Sequence, residues 1–176
     1  MKTLTLRRIG AYLLDYTIIA VYASLLFGMT ILLDLKNSNL TPLSGQLVGL
    51  VLMTLPVFLY FFLMEQSKNG ATIGKKILNI AVSSEIQNRR KSVLKRNVIK
   101  FLPWELAHTG VHWMVFYSAS ESEPPVWVWI TLVIPQIIVI AYLISIILSK
   151  GKSSLYDWIS KTSVILIDNN NLPNRQ

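Results

Sequence analysis

Apolar residues gather in four stretches, with polar and charged residues between them. Residues 9–33, 43–64 and 126–148 each run for about 20 residues or more, the length a helix needs to cross a hydrocarbon core about 30 Å thick. The stretch 101–117 is shorter and less apolar; as a helix it reaches about 25 Å and needs flanking anchors or local thinning to span. A re-entrant or surface-lying placement is the alternative for it. The pattern predicts an all-α integral membrane protein, a bundle of about four transmembrane helices forming a single domain over 1–176. Connections fall at 34–42, 65–100 and 118–125, with a tail at 149–176.

Charge orients this bundle. The loop 65–100 holds nine Lys and Arg residues against only Glu65 and Glu85, which places it on the cytoplasmic side. Lys2, Arg7 and Arg8 at the start, and Lys150, Lys152 and Lys161 after the last span, put both termini there too. Two ends on one side require an even number of crossings, so 101–117 is read as the third span. The acidic connection 118–125 suits the outer side. Trp104 and Trp158 fall near the inner surface, and Trp113, Trp127 and Trp129 near the outer one, as aromatic belts do.

Composition narrows the function classes. With 52% hydrophobic and 15% charged residues, a soluble domain is excluded. The net charge of +8 does not point to nucleic acid, because the positive residues sit in loops beside apolar spans. The partner they imply is the bilayer, with 89–100 as a juxtamembrane helix attracted to anionic lipid headgroups. A purely topological role accounts for that run equally well. There are no cysteines, so disulfides and thiolate metal sites are excluded. The basic start and apolar run resemble a signal peptide, but the run is too long, contains Asp15 and lacks a small-x-small site. It is read as a mature helix of a multi-pass protein of the cell (inner) membrane.

Several residues stand out against the apolar background. Asp15 lies about 9 Å inside the first span, where an aspartate costs about 2.5–3.5 kcal/mol. Arg8, Ala11 and Asp15 share one helix face. Arg8 and Asp15 are about 10 Å apart along the axis, so each needs a partner from another segment. That contact is either structural or part of ion or proton movement. In the second span Pro56 frees a carbonyl that neighbours or water must satisfy, and Gly45 and Gly49 permit close packing within the bundle. Pro135 is the expected kink of the last span. In the stretch 101–117, Glu105, His108, Thr109 and His112 share one face, expected to turn toward Asp15 or a wet cavity. The stripe is a hydrogen-bonded core network, a proton or cation relay, or a metal site of Glu105, His108 and His112.

The basic loop contains Gly70-Ala71-Thr72-Ile73-Gly74-Lys75-Lys76. The spacing of Gly70 and Gly74 and the Lys at 76 rule out a phosphate-binding loop. Thr72 is expected to cap a short helix. The β-branched segments 80–83 and 164–167 are expected to pair as a small ribbon. Asp157 is expected near Arg8 or Lys75, tying the end of the chain to its beginning, with Lys161 as its alternative partner one turn along. The Asn-rich tail from Asp168 is expected to lack order.

Three of these elements resemble the RDD family of small bacterial membrane proteins. Arg8-x-x-Ala11-x-x-x-Asp15 is similar to its first-helix Arg and Asp, Gly70-x-Thr72-x-Gly74-Lys75 to its G-x-T-x-G-K loop, and Leu155-x-Asp157 with Thr162 to its C-terminal element. Tyr156 stands where that element has histidine, and Lys161 where it has glycine. The resemblance implies a transporter or cation/proton antiporter in which Asp15 and Asp157 handle the ion and Arg8 balances their charge. Four helices are few for a pathway, so a homo-oligomer is implied as well. The alternatives are a non-catalytic scaffold with a basic contact surface and, further off, a metalloprotein built on the Glu/His stripe. No cofactor and no catalytic residue is implied, and the chain is not expected to be an enzyme.

Overall fold

A computed structural model describes residues 2–33 and 41–167; the expectations for the tail from Asp168, and for most of the first connection, lie outside the described residues. Helix α1 spans Lys2–Leu32. Helix α2, Pro42–Gly49, runs through one π-helical turn, Leu50–Thr54, into α3, Leu55–Gln66. A short α4, Ile73–Ile77, precedes strand β1, Ile80–Ser84. Then come α5, Arg89–Ala119, and α6, Val126–Leu148. The chain closes with α7, Leu155–Ser160, and β2, Thr162–Leu166.

Among the described residues three helices are long and apolar enough to cross a membrane: Leu4–Leu32, Pro42–Gln66 and Val126–Leu148. Large apolar side chains on them stay exposed on most faces, including Ile134, Ile137, Val139 and Leu143 of α6. Helices apolar all round are solvated by lipid and not by water.

Helix α5 corrects the sequence picture. The basic run 89–100 and the stretch 101–117 are not a surface helix followed by a separate short span; they form one helix of 31 residues, about 46 Å long. Pro103 lies inside it without ending it. A helical proline frees the carbonyl four residues back, and here Tyr142 of α6 donates its hydroxyl to the Ile99 carbonyl at 3.0 Å. The same device serves Pro56: Tyr22 of α1 donates to the Leu52 carbonyl at 2.6 Å. The π turn lies immediately before Pro56, so the irregular backbone is confined to one turn.

At one end of the helices the short elements make a polar platform. β1 and β2 pair antiparallel, with Val82 opposite Val164 and Ile80 opposite Leu166. Ile80 and Val164 turn inward and pack with Leu4 and Ala11 of α1. Gly70 opens the platform at φ +61°, where a Cβ would stand 2.7 Å from the Val82 carbonyl oxygen; glycine alone fits there without strain.

Tyr22→Phe and Tyr142→Phe should each lower stability by about 1 kcal/mol, since each leaves a proline-freed carbonyl bare in apolar surroundings. Unfolding midpoints in lipid or detergent measure this, and a midpoint unchanged in either variant would show that the carbonyl needs no hydroxyl.

Candidate functional site

The platform places charges that the helices cannot pair by themselves. Asp15 of α1 is fully buried and accepts three hydrogen bonds. Tyr60 of α3 donates to Oδ1 at 2.7 Å, Thr72 to Oδ2 at 2.6 Å, and the Gly74 amide to Oδ1 at 2.9 Å. Thr72 is also the N-cap of α4, its hydroxyl accepting from the Lys75 amide. A Cβ on Gly74 would collide with the Ala11 carbonyl oxygen, so glycine on α4 and the small Ala11 together allow α4 to lie on α1.

Next to Asp15 runs a chain of five charged side chains, none with any exposure. Arg8 of α1 pairs with Asp157 Oδ2 of α7. Arg96 of α5 reaches Asp157 Oδ1 through Nε at 2.6 Å and pairs through Nη1 with Glu65 Oε2 of α3. Lys75 of α4 pairs with Glu65 Oε1. Further donors reach the same carboxylates, while Arg96 Nη2 and Asn97 Oδ1 are left without a hydrogen-bond partner. Asn97 donates to Glu65 Oε2 at 3.0 Å, the Ser154 amide to Asp157 Oδ2 at 2.9 Å, and Thr162 to Asp157 Oδ1 at 3.1 Å. The Tyr156 hydroxyl accepts from Arg8 at 3.0 Å and hydrogen-bonds with Tyr12. One alternating network therefore joins α1, α3, α4, α5 and α7.

Its electrostatics follow from geometry. Burial alone would push the Asp157 carboxyl up, but Arg96 and Arg8 together outweigh burial and hold it below the usual aspartate range. Burial disfavours the Arg96 guanidinium, and Glu65 and Asp157 flank it with opposite charge. Burial and the neighbouring Tyr12 raise the Tyr156 hydroxyl, so it remains a proton donor at any physiological pH.

The RDD family model matches residues 3–161, nearly the whole chain and all the elements that build this network. The chain belongs to the RDD family. No curated protein and no solved structure matches it.

The RDD elements of the sequence meet in one place. The first-helix Asp15 holds the Gly70–Lys75 loop, and the first-helix Arg8 holds the C-terminal Asp157. Lys75 goes to Glu65 and not to Asp157, and Lys161 is exposed and makes no ion pair with it. Lys161 caps α7 in the left-handed region at φ 54°, the geometry in which glycine is the relaxed residue.

The Glu/His stripe is elsewhere. It does not face Asp15, whose surroundings are filled by α4 and Tyr60; it faces α2. A Cβ on Gly45 would lie 2.9 Å from His112 Nδ1, and one on Gly49 would collide with His108. Gln46 donates to Thr109 at 2.6 Å, and the Nε2 atoms of His108 and His112 stand 3.3 Å apart. One Glu105 carboxylate oxygen and His108 Nδ1 are sealed without a hydrogen-bond partner. Among the described residues no group of three His, Asp or Glu side chains is placed to hold a metal ion.

Glu65, Arg96, Asn97 and Tyr12 are absent from the sequence-derived candidates. Glu65 and Arg96 count there only as loop charges. The signal available for them is position: Glu65 ends an apolar span, and Arg96 and Asn97 lie one turn from Val93 on the face that continues into the stretch 101–117.

Arg8→Met or Asp157→Leu alone should cost about 3–5 kcal/mol, because each leaves the other charge sealed and short of a partner. The double variant should be destabilised by clearly less than the sum, whereas Lys75→Met and Asp157→Leu should couple more weakly. Equilibrium unfolding of the four proteins in each cycle checks this, and additive Arg8 and Asp157 effects would contradict the pairing.

Proposed function

We propose that this RDD protein crosses the cell (inner) membrane four times with both termini and the basic loop cytoplasmic, and that it works as a non-catalytic scaffold. It is not, on this reading, an exchanger driven by Asp15 and Asp157. Support for four crossings comes from α5, whose length suffices to span although its polar stripe keeps its hydropathy low. The observation that carries the scaffold reading is the saturation of the buried carboxylates. Both oxygens of Asp15, Glu65 and Asp157 accept hydrogen bonds at zero exposure. An ion or proton that used them would have to dismantle the contacts that hold the platform to the helices.

The surface that remains for a partner is basic. Arg90, Lys91 and Lys95 on α5 are exposed, and a groove between α5 and α7 brings Lys91 and Lys95 beside Lys161. An anionic headgroup or an acidic protein segment matches it.

A second reading has its own observation. The unpartnered Glu105 oxygen and His108 Nδ1, next to His112, give a proton or cation path along the α2–α5 face. In proteoliposomes under an imposed Na⁺ or K⁺ gradient, the scaffold reading expects no proton flux above empty vesicles. Flux lost in His108→Ala but kept in a folded Asp15→Asn would favour the second reading. Flux abolished by Asp15→Asn with folding intact would overturn the scaffold and restore exchange through the first helix.

A further inference from the structure

One buried cation has no place in the network. Lys100 follows Arg96 by one turn of α5, and its Nζ is sealed from solvent with no hydrogen-bond or ion-pair partner. It lies 3.3 Å from the centroid of the Phe61 ring, with the Tyr12 and Phe101 rings at 5.4 and 5.5 Å. Aromatic faces return at most about 2 kcal/mol, whereas sealing an ammonium costs several. Glu65, the nearest carboxylate of the network, is already held by Lys75 and Arg96. A charge in this position lacks one counter-ion.

The space beside Lys100 shows what kind of counter-ion fits. Lys100 lines a cavity of about 70 Å³ between α1, the π turn, α3 and α5, walled mainly by Ile19, Val57, Phe61, Phe101 and Trp104. Ile19 and Val57 also line a second apolar groove of about 220 Å³ between α1 and α3, with Ile18, Tyr22 and Pro56. The two spaces share these walls, and opened into one another they would make a narrow apolar channel with Lys100 as the cation on its lining. Irregular π turns of the kind that borders it recur at functional sites.

We propose that this channel binds a long-chain fatty acid, its carboxylate paired with Lys100 and its acyl chain lying in the groove between α1 and α3. One cation and one groove match one negative charge on one chain. A phospholipid matches less well, since its hydrated headgroup would have to follow the phosphate beneath the Phe61 ring. The site stands independently of whether the protein moves ions.

Trp104 lines the cavity, so a bromine on a bound chain quenches its fluorescence. Purified protein in zwitterionic nanodiscs is titrated with a brominated long-chain fatty acid, with the fatty alcohol of equal length and bromine position, and with brominated phosphatidylglycerol. The expected result is saturable quenching by the acid, lost in a Trp104→Phe background. It should weaken roughly tenfold or more in Lys100→Gln, and the alcohol and the phospholipid should quench only in proportion to their mole fraction. Val57→Phe, which keeps Lys100 and blocks the groove, should abolish saturable quenching, so the result does not rest on one variant folding. Equal saturation by acid and alcohol, or an unchanged titration in folded Lys100→Gln, would overturn the proposal and leave Lys100 a neutral amine. Saturable quenching by the phospholipid that the acid does not displace would overturn it in favour of a bilayer lipid.

Discussion

Two carboxylates, Glu65 and Asp157, cannot lie dry beneath apolar helices unless cations are fixed beside them. Desolvating an ion costs several kcal/mol, recovered only when the partner's geometry and the remaining hydrogen bonds are good. Arg96 meets that constraint by bridging both carboxylates at once, and the short elements of the platform meet the rest. α4 delivers Lys75 to Glu65 and the Gly74 amide to Asp15; α7 delivers Asp157 to Arg8 and, with its cap, the Ser154 amide to Asp157. The β ribbon then ties the ends of these two deliveries together. The spans themselves show most of their surface to lipid, so specificity in this fold resides at the polar end, where an unpaired charge would be most costly.

Much of this was legible in the chain. Three spans followed from length and hydropathy, and the ribbon from two β-branched segments. Asp157 was expected near Arg8 or Lys75, and Arg8 is the one it meets. What periodicity could not supply was the identity of the other partners. Glu65 and Arg96 read as solvated loop charges because the rule that orients a bundle counts charges without asking which way each faces. Asp15 read as either a structural contact or an ion-handling group, because insertion cost is visible in sequence and saturation is not. The three donors that satisfy it come from α3, α4 and a loop hydroxyl.

The two prolines teach the same point from the other side. Sequence announces a broken hydrogen bond at Pro56 and stays silent about Tyr22; Pro103 frees a carbonyl in the same way, and Tyr142 supplies the donor. The carbonyl that Pro103 frees within α5 is met by a hydroxyl 39 residues away from the proline. The Glu/His stripe depends likewise on Gly45 and Gly49, which let α2 approach the histidines closely and turn them away from Asp15.

The central claim is that the charge network is a closed, dry latch and not a hydrated passage. Hydrogen exchange at the Gly74 amide, which donates to Asp15, tests it most directly. A latch predicts that this amide exchanges only with global unfolding, as slowly as the amides in the middle of α6. Exchange within the range of the exposed platform residues, in folded protein at neutral pH, would mean that water reaches Asp15 in the native state and would contradict the account.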